Sequence, residues 1–384
     1  MFRMVVGHSA DVDAGDALGE ALEQCARELG DDVPRGGLLF STHEADPAGL
    51  IAAVLAVYPG LELIGSTSAA EMSSALGFQE GSVMLALFAS DSIDITAGLG
   101  SGLHTDPAGA ARDAVGEALG KTGREAKLCI TVPAVGADPL PLFEALRREL
   151  GDGVVVLGGG SSATIGDPDR ARQFCNDRIV GDGVPVLIFS GALSYSFGVE
   201  TGWRPVGKRA KVTLASGNVV QEIDGRPALE FYERYLGAGA AVAPANPLAV
   251  FEEGSEDFYL RVAASHDAAT GSILVRGGLP QDATVQLTVA MADEIFDGAK
   301  AAVQKALKTF PSGSDPGAAL IVSCVIRKLV LGTRTGHEIE IARTELGGAM
   351  PICGFYSFGE IAPMESGVTR LHHEAMVAVL LGAA

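Results

Sequence analysis

One plan recurs three times along the chain and leaves few folds open: an apolar strand, a helix, and a second strand that ends in glycine and small or aromatic polar residues. In the first copy the strand is 38–40, and Asp46-Pro47 opens a helix whose face is Leu50, Ile51, Val54, Leu55 and Tyr58. The return strand 61–64 runs into Gly65-Ser66-Thr67-Ser68, with Glu71 just beyond. Aspartate as N-cap followed by proline at the first helical position is a start signal, because the carboxylate accepts free N–H groups and proline has none to lose. The second copy has a strand at 128–132, a helix opened by Asp138-Pro139, and a strand at 154–157 ending in Gly158-Gly159-Gly160-Ser161-Ser162. The third has a strand at 320–326, a helix at 337–346, and a strand at 351–353 that breaks at Gly354 into the aromatic turn Phe355-Tyr356-Ser357-Phe358, followed by Gly359 and Glu360. A further apolar strand follows each copy, at Val83, Val184 and Ala375.

The spacing is too long and irregular for a solenoid. It predicts an α/β protein (α+β in its mixed sheets) of repeated strand-helix-strand units, forming two packed halves with mixed β-sheets flanked by helices. Outside the copies, apolar periodicity predicts helices at 14–29, 107–119 and 292–308, and a helix from Pro227 to Leu236 capped by Asp224. A polar loop is expected after Ser162, up to about Arg178. Strands are expected near 83–88, 93–97, 184–189, 211–214, 258–263, 273–275 and 284–289, and the Ala-, Gly- and Pro-rich stretch 237–247 reads as a boundary region or surface loop.

A chain of 384 residues with 47% apolar content can bury a sizeable core. Its formal charge of −20 argues against nucleic acid or anionic membrane as a partner. The five cysteines are odd in number, widely spaced and never Cys-x-x-Cys, which favours reduced thiols and a cytoplasmic location. No apolar run approaches the roughly 18 residues needed to cross a bilayer, so no membrane insertion is expected.

Familiar catalytic motifs are missing. Gly116 to Thr122 resembles a phosphate-binding loop but has three residues between its glycines where four are needed, and it reads better as a helix end. Neither Gly-x-Ser-x-Gly nor His-Glu-x-x-His occurs, and the seven histidines are scattered apart from His372-His373, so no metal is expected. Chemistry-bearing candidates cluster near the C-terminus. Glu360 stands between Gly359 and Ile361, where a carboxylate must be paired or face a cleft. Arg327 could clamp a carboxylate with its planar fork. Cys324 is a small residue in a buried strand, or a thiol next to Arg327. Tyr356 needs a partner for its hydroxyl. Glu71 and Ser161 occupy the matching ends of the earlier copies, and His372 completes the candidate set.

These residues sit in segments that resemble a known family. The stretch 354–363, GFYSFGEIAP, resembles the C-terminal signature of the FIST sensory domain, Gly-Phe-Tyr-x-x-Gly-Glu-Ile. IGSTSAAEM (64–72), LGGGSSATIGD (157–167), IDGRPALEFYERYLG (223–237), SCVIR (323–327) and LHHEAMVAVLL (371–381) agree in order, so the resemblance spans nearly the whole chain. It implies an N-terminal FIST part over 1–224 and a C-terminal part over 225–384. It further implies a bacterial or archaeal-type cytoplasmic sensor that binds small ligands, amino acids or other small carboxylates foremost, with haem in some members. With no output domain in the sequence, signalling would pass to a separate protein such as a kinase. Arg327, Tyr356, Glu360 and His372, with Cys324, Ser161 and Glu71, would form the ligand contacts. The chain departs from the family at Ser66, where cysteine is usual, at Ala70, where glycine is usual, and at His373, where asparagine is usual. Two other readings stand beside the sensor: an enzyme using Cys324 or Glu360, and a haem-based gas sensor with a histidine ligand.

Overall fold

The computed structural model describes residues 1–136, 139–163, 168–239, 242–252 and 254–384, so the expected cap at Asp138 lies outside the described residues. Three units follow one another. The first contains β1 (Phe2–Ser9), α1 (Ala14–Leu29), β2 (Gly36–Thr42), α2 (Pro47–Val57), β3 (Glu62–Ser68), the hairpin β4 (Glu71–Ser73) and β5 (Gly77–Gln79), and β6 (Val83–Ser90). The second repeats this order: β7 (Ile93–Ser101), α3 (Pro107–Leu119), β8 (Ala126–Thr131), α4 (Leu140–Leu150), β9 (Val155–Gly159), the hairpin β10 (Gln173–Cys175) and β11 (Arg178–Val180), and β12 (Gly183–Gly191).

The third unit opens with β13 (Leu193–Glu200) and is then interrupted by an inserted β domain. The insert contains β14 (Arg204–Ser216), β15 (Val219–Ile223), β16 (Arg226–Pro227), α5 (Ala228–Leu236), β17 (Leu248–Phe251), β18 (Phe258–Arg261), β19 (Ala263–Asp267), β20 (Ser272–Val275) and β21 (Thr284–Val289). The unit resumes with α6 (Ala292–Thr309), β22 (Ala318–Cys324), α7 (Val325–Leu331), α8 (His337–Glu345), β23 (Ile352–Ser357), the hairpin β24 (Glu360–Pro363) and β25 (Thr369–His372), and β26 (Met376–Ala383).

The sheets interlock the units. Their strand orders are β1-β6-β2-β3-β10-β11, β7-β12-β8-β9-β24-β25 and β13-β26-β22-β23-β4-β5. Each unit thus builds four strands and completes its sheet with another unit's hairpin: the second lends to the first, the third to the second, and the first to the third. Strict alternation sorts the side chains. Leu38 and Phe40, Leu128 and Ile130, and Leu320 and Val322 face one central core shared by all three sheets, and the aromatic rings of Phe40 and Phe355 stack there at 4.2 Å. Leu39, Cys129 and Ile321 point outward under the helices. The apolar strands therefore read as continuous runs, because both faces are covered.

Close backbone approach accounts for the repeated glycines. A Cβ at Gly65 would lie 1.9 Å from the Leu39 carbonyl oxygen, one at Gly158 would lie 1.9 Å from that of Thr131, and one at Gly354 would lie 2.4 Å from that of Ile321. These are register partners on the parallel neighbour strand. The reading of these glycines as strand ends is corrected: β3, β9 and β23 run through them, and the aromatic stretch 355–357 is strand, with the turn made at Gly359, whose φ is 117°. Gly65→Ala is expected to destabilise the protein by about 1–3 kcal/mol, because neither β2 nor β3 can retreat from the packed core. Urea denaturation checks it, and an unchanged midpoint would refute the close-packing argument.

Other expectations shift by a few residues. Asp46 and Asp106 cap α2 and α3 as read, and α1 spans 14–29. The strand expected over 320–326 ends at Cys324, and Val325 begins α7. Asp224 does not cap α5; with φ 52° it sits in a turn and accepts from the Lys211 N–H at 2.8 Å. The polar loop expected before Arg178 holds β10. No helix among the described residues is long and apolar enough to cross a membrane.

Candidate functional site

Three residues after the close-packed glycine each unit places a serine, at the last position of β3 (Ser68) and of β23 (Ser357) and two residues past the end of β9 (Ser161). Each lent hairpin begins with a carboxyl or amide side chain, at Glu71, Gln173 and Glu360, and all three are fully buried. These groups meet in pairs. Ser68 Oγ donates to Glu71, Ser357 Oγ donates to Glu360 at 2.7 Å, and Gln173 Nε2 donates to Ser161 Oγ at 2.7 Å. A second bond reaches the start of the unit's last strand: Ser82 Oγ donates to Glu71, the Ala375 N–H to Glu360 at 3.1 Å, and the Gly183 N–H to Gln173 at 3.2 Å. One polar pin per unit thereby ties the hairpin to its own unit while its strand pairs with another. Burial pushes the Glu71 carboxyl up to about 7 and that of Glu360 up to about 8. His8, buried between Ser73 Oγ at 2.8 Å and Ser82 Oγ at 2.9 Å, is lowered to about 4 by desolvation and stays neutral.

Arg327 and Tyr356 come together on a residue that sequence reasoning missed, Glu338 of α8. Arg327 Nε donates to Glu338 Oε1 at 2.8 Å, and Nη2 lies 2.7 Å from the same oxygen. Tyr356 Oη and Ser323 Oγ donate to Glu338 Oε2 at 2.8 and 3.1 Å. The other guanidinium donors reach the carbonyls of Thr201, Glu374 and Ile295. With every N–H engaged by protein and both side chains at 0% exposure, Arg327 has no donor left for a ligand carboxylate.

Cys324 and Glu360 are neighbours, and burial drives the thiol well above its ordinary value, with the Glu360 charge adding to the effect. The adjacent Glu374, buried and with φ 58°, has no hydrogen-bond partner for its carboxyl among the described residues, and burial raises it well above its ordinary value. His372 donates from Nε2 to the Ala362 carbonyl at 3.0 Å, and burial lowers it to about 4.

A cavity of about 570 Å³ opens at the joint of the second unit, the third unit and the insert. It lies beyond the carboxyl ends of β8, β9 and β22, the usual place for a ligand on parallel strands. Leu142, Phe143, Val262, Ile361 and Leu371 supply apolar wall, and Gln173, Cys324 and His373 supply polar atoms. Of the candidates named from sequence, Cys324 lines this cavity and Ser161 is joined to it through Gln173. Glu71, Arg327, Tyr356, Glu360 and His372 do not line it. Two exposed side chains at the rim, Arg276 and Asp169, have no side-chain partner among the described residues. Arg276, on the insert after β20, carries no motif; Gln173 was traceable only by matching its unit to the other two.

The cavity does not suit haem ligation. His373 Nδ1 accepts the Val262 N–H at 3.3 Å, so in the neutral ring that burial enforces the other nitrogen carries the proton and has no lone pair for iron. His104 has both ring nitrogens engaged, by Asp182 and by the Val135 carbonyl. Among the described residues no group of three or more His, Cys, Asp or Glu side chains could hold a metal ion.

Fold and site define the class: a mixed α/β protein of hairpin-exchanged units with a ligand-sized cavity where an inserted β domain meets the body. The chain belongs to the FIST family, matching the FIST N domain over residues 36–226 and the FIST C domain over 228–363. FIST domains are consistent with a sensory, ligand-binding role. The chain is similar to an uncharacterized protein of Mycobacterium tuberculosis, 28% identical over 389 residues that cover 96% of this chain and 97% of the relative. An uncharacterized Mycobacterium bovis protein is 26% identical over 392 residues, covering 96% of each. Among solved structures, a cyanuric acid hydrolase matches with 9% identity and a TM-score of 0.36 over 100% of both chains. PurLQS from Thermotoga maritima matches with 13% identity and a TM-score of 0.24 over 100% of this chain and 72% of the other. Likenesses at this level say nothing of the chemistry here.

Proposed function

We propose that this chain is a non-catalytic cytoplasmic sensor whose cavity binds a small carboxylate, foremost an amino acid with an apolar side chain, and which signals through a separate protein such as a kinase. The observation that carries this reading is the unpaired Arg276 guanidinium at the rim of a largely apolar cavity of about 570 Å³. Asp169 on the same rim offers an anion for an ammonium group, which favours a zwitterion. Cys324 supports a binding role over catalysis: burial drives its thiol well above its ordinary value, and with the nearby Glu360 raised to about 8 as well, little thiolate is available as a nucleophile near neutral pH. Because insert and body both wall the cavity, a ligand that prefers their closed arrangement shifts the population toward it.

A thermal-shift screen of amino acids and small carboxylates tests the reading. A ligand at a hundred times its dissociation constant adds about 2.7 kcal/mol of stability, a visible rise in midpoint. Arg276→Ala is expected to abolish the rise while folding normally, since Arg276 is exposed and makes no side-chain bond among the described residues. A panel with no carboxylate response, or an Arg276→Ala protein that responds like the wild type, overturns it.

A further inference from the structure

The polar pin of the second unit differs from the other two in chemistry and in surroundings at once. Glu71 and Glu360 are sealed in the body, whereas Gln173 forms part of the cavity wall. At the one pin that reaches the cavity, the carboxylic acid is replaced by an amide.

The orientation of that amide follows from its bonds. A backbone N–H can only donate, so the Gly183 N–H at 3.2 Å identifies the atom facing it as Oε1. Nε2 therefore faces Ser161 Oγ at 2.7 Å, which takes one of its two hydrogens. The second N–H has no acceptor among the described residues. A buried amide hydrogen without a partner is costly unless something completes it.

We propose that Gln173 is the specificity-determining residue of the cavity, its free N–H donating to the carboxylate of the bound molecule. This rests on the carboxylate-binding reading above. A glutamate at this position, once ionised, would bring acceptor oxygens and negative charge to the same wall and repel the same ligand, while the hydrogen bonds to Ser161 and Gly183 would survive, as their equivalents do around Glu360.

The test uses the full chain with two probes of one shape, 3-phenylpropionate and 3-phenylpropionamide, followed by calorimetric titration. Wild type is expected to prefer the acid. Gln173→Met keeps the length of the side chain without its donor, and is expected to lose about tenfold in affinity for the acid and little for the amide. Gln173→Glu, titrated at pH 9 where a carboxyl buried like that of Glu360 is ionised, is expected to lose about 100-fold for the acid and to reverse the preference, because the new carboxylate accepts from the amide probe. Acid affinity unchanged in both variants overturns the role of Gln173 and leaves the cavity reading standing. Equal losses for acid and amide also overturn it, marking the residue as structural. If wild type binds neither probe, the cavity reading fails and this inference fails with it. Should Gln173→Glu not fold, Gln173→Met alone decides.

Discussion

Glu338→Ala is expected to cost about 3–5 kcal/mol, because it strips the one ion-pair partner that Arg327 has among the described residues from a guanidinium that has no access to water. The side chains of Arg327 and Glu338 are both at 0% exposure, and Tyr356 Oη and Ser323 Oγ lose their shared acceptor in the same step. A buried unpaired charge is penalised far more than the pair gains from forming. The double change Arg327→Met with Glu338→Leu is therefore expected to recover most of the loss. Urea denaturation of the two proteins measures both quantities. A Glu338→Ala midpoint equal to wild type, or a double variant weaker than the single, would contradict this account of the network.

The second large effect is a pH dependence. Glu360 titrates at about 8 in the folded chain against an ordinary 4.5, with burial as the main cause, so the folded state holds a proton that the unfolded state releases. The stability this group contributes is complete below about 4.5 and is lost as pH rises through about 8, a decline of about 5 kcal/mol by pH 9. Glu71, pushed up to about 7, declines earlier in the same direction, and Glu374 adds to it. Glu360→Gln is expected to match wild type near pH 5 and to exceed it by a few kcal/mol at pH 9. The substitution has an internal precedent, since Gln173 makes the equivalent two bonds in the second unit. Thermal midpoints from pH 5 to 9 decide the matter, and parallel curves for the two proteins would show that Glu360 is not buried as a neutral acid.

Much of the layered architecture was legible because its signals are local. The Asp46-Pro47 and Asp106-Pro107 caps, the period of α1 and the apolar runs of β2, β8 and β22 are written in neighbouring residues. The hairpins were not, because strands as short as 173–175 and 178–180 carry too few residues to show a period and pair far along the chain. Gly65 and Gly354 were misread as turns for a related reason: what excludes a side chain there is a carbonyl on another strand. At the site, Arg327 and Glu360 stood out as polar groups among apolar ones, which marks a residue that needs a partner without saying whether that partner is ligand or protein. Arg327 found Glu338 eleven positions on. Gln173 was hidden because its serine lies twelve positions back, whereas Glu71 and Glu360 each follow theirs by three.

The exchange of hairpins has a consequence for how such a chain comes into being. Segment 71–79 is among the earliest made, yet its neighbour β23 ends at residue 357, so the third sheet closes on a strand that has waited through most of synthesis. The first sheet waits for the second unit, the second for the third, and the third returns to the first. No unit can be finished alone or removed without leaving a bare sheet edge on another, which is where chains misassociate. The molecule assembles as a ring of mutual dependence, slowly and late, since its defining contacts are the most distant in sequence. The insert, whose eight strands pair only among themselves, is free to form while the ring is still open.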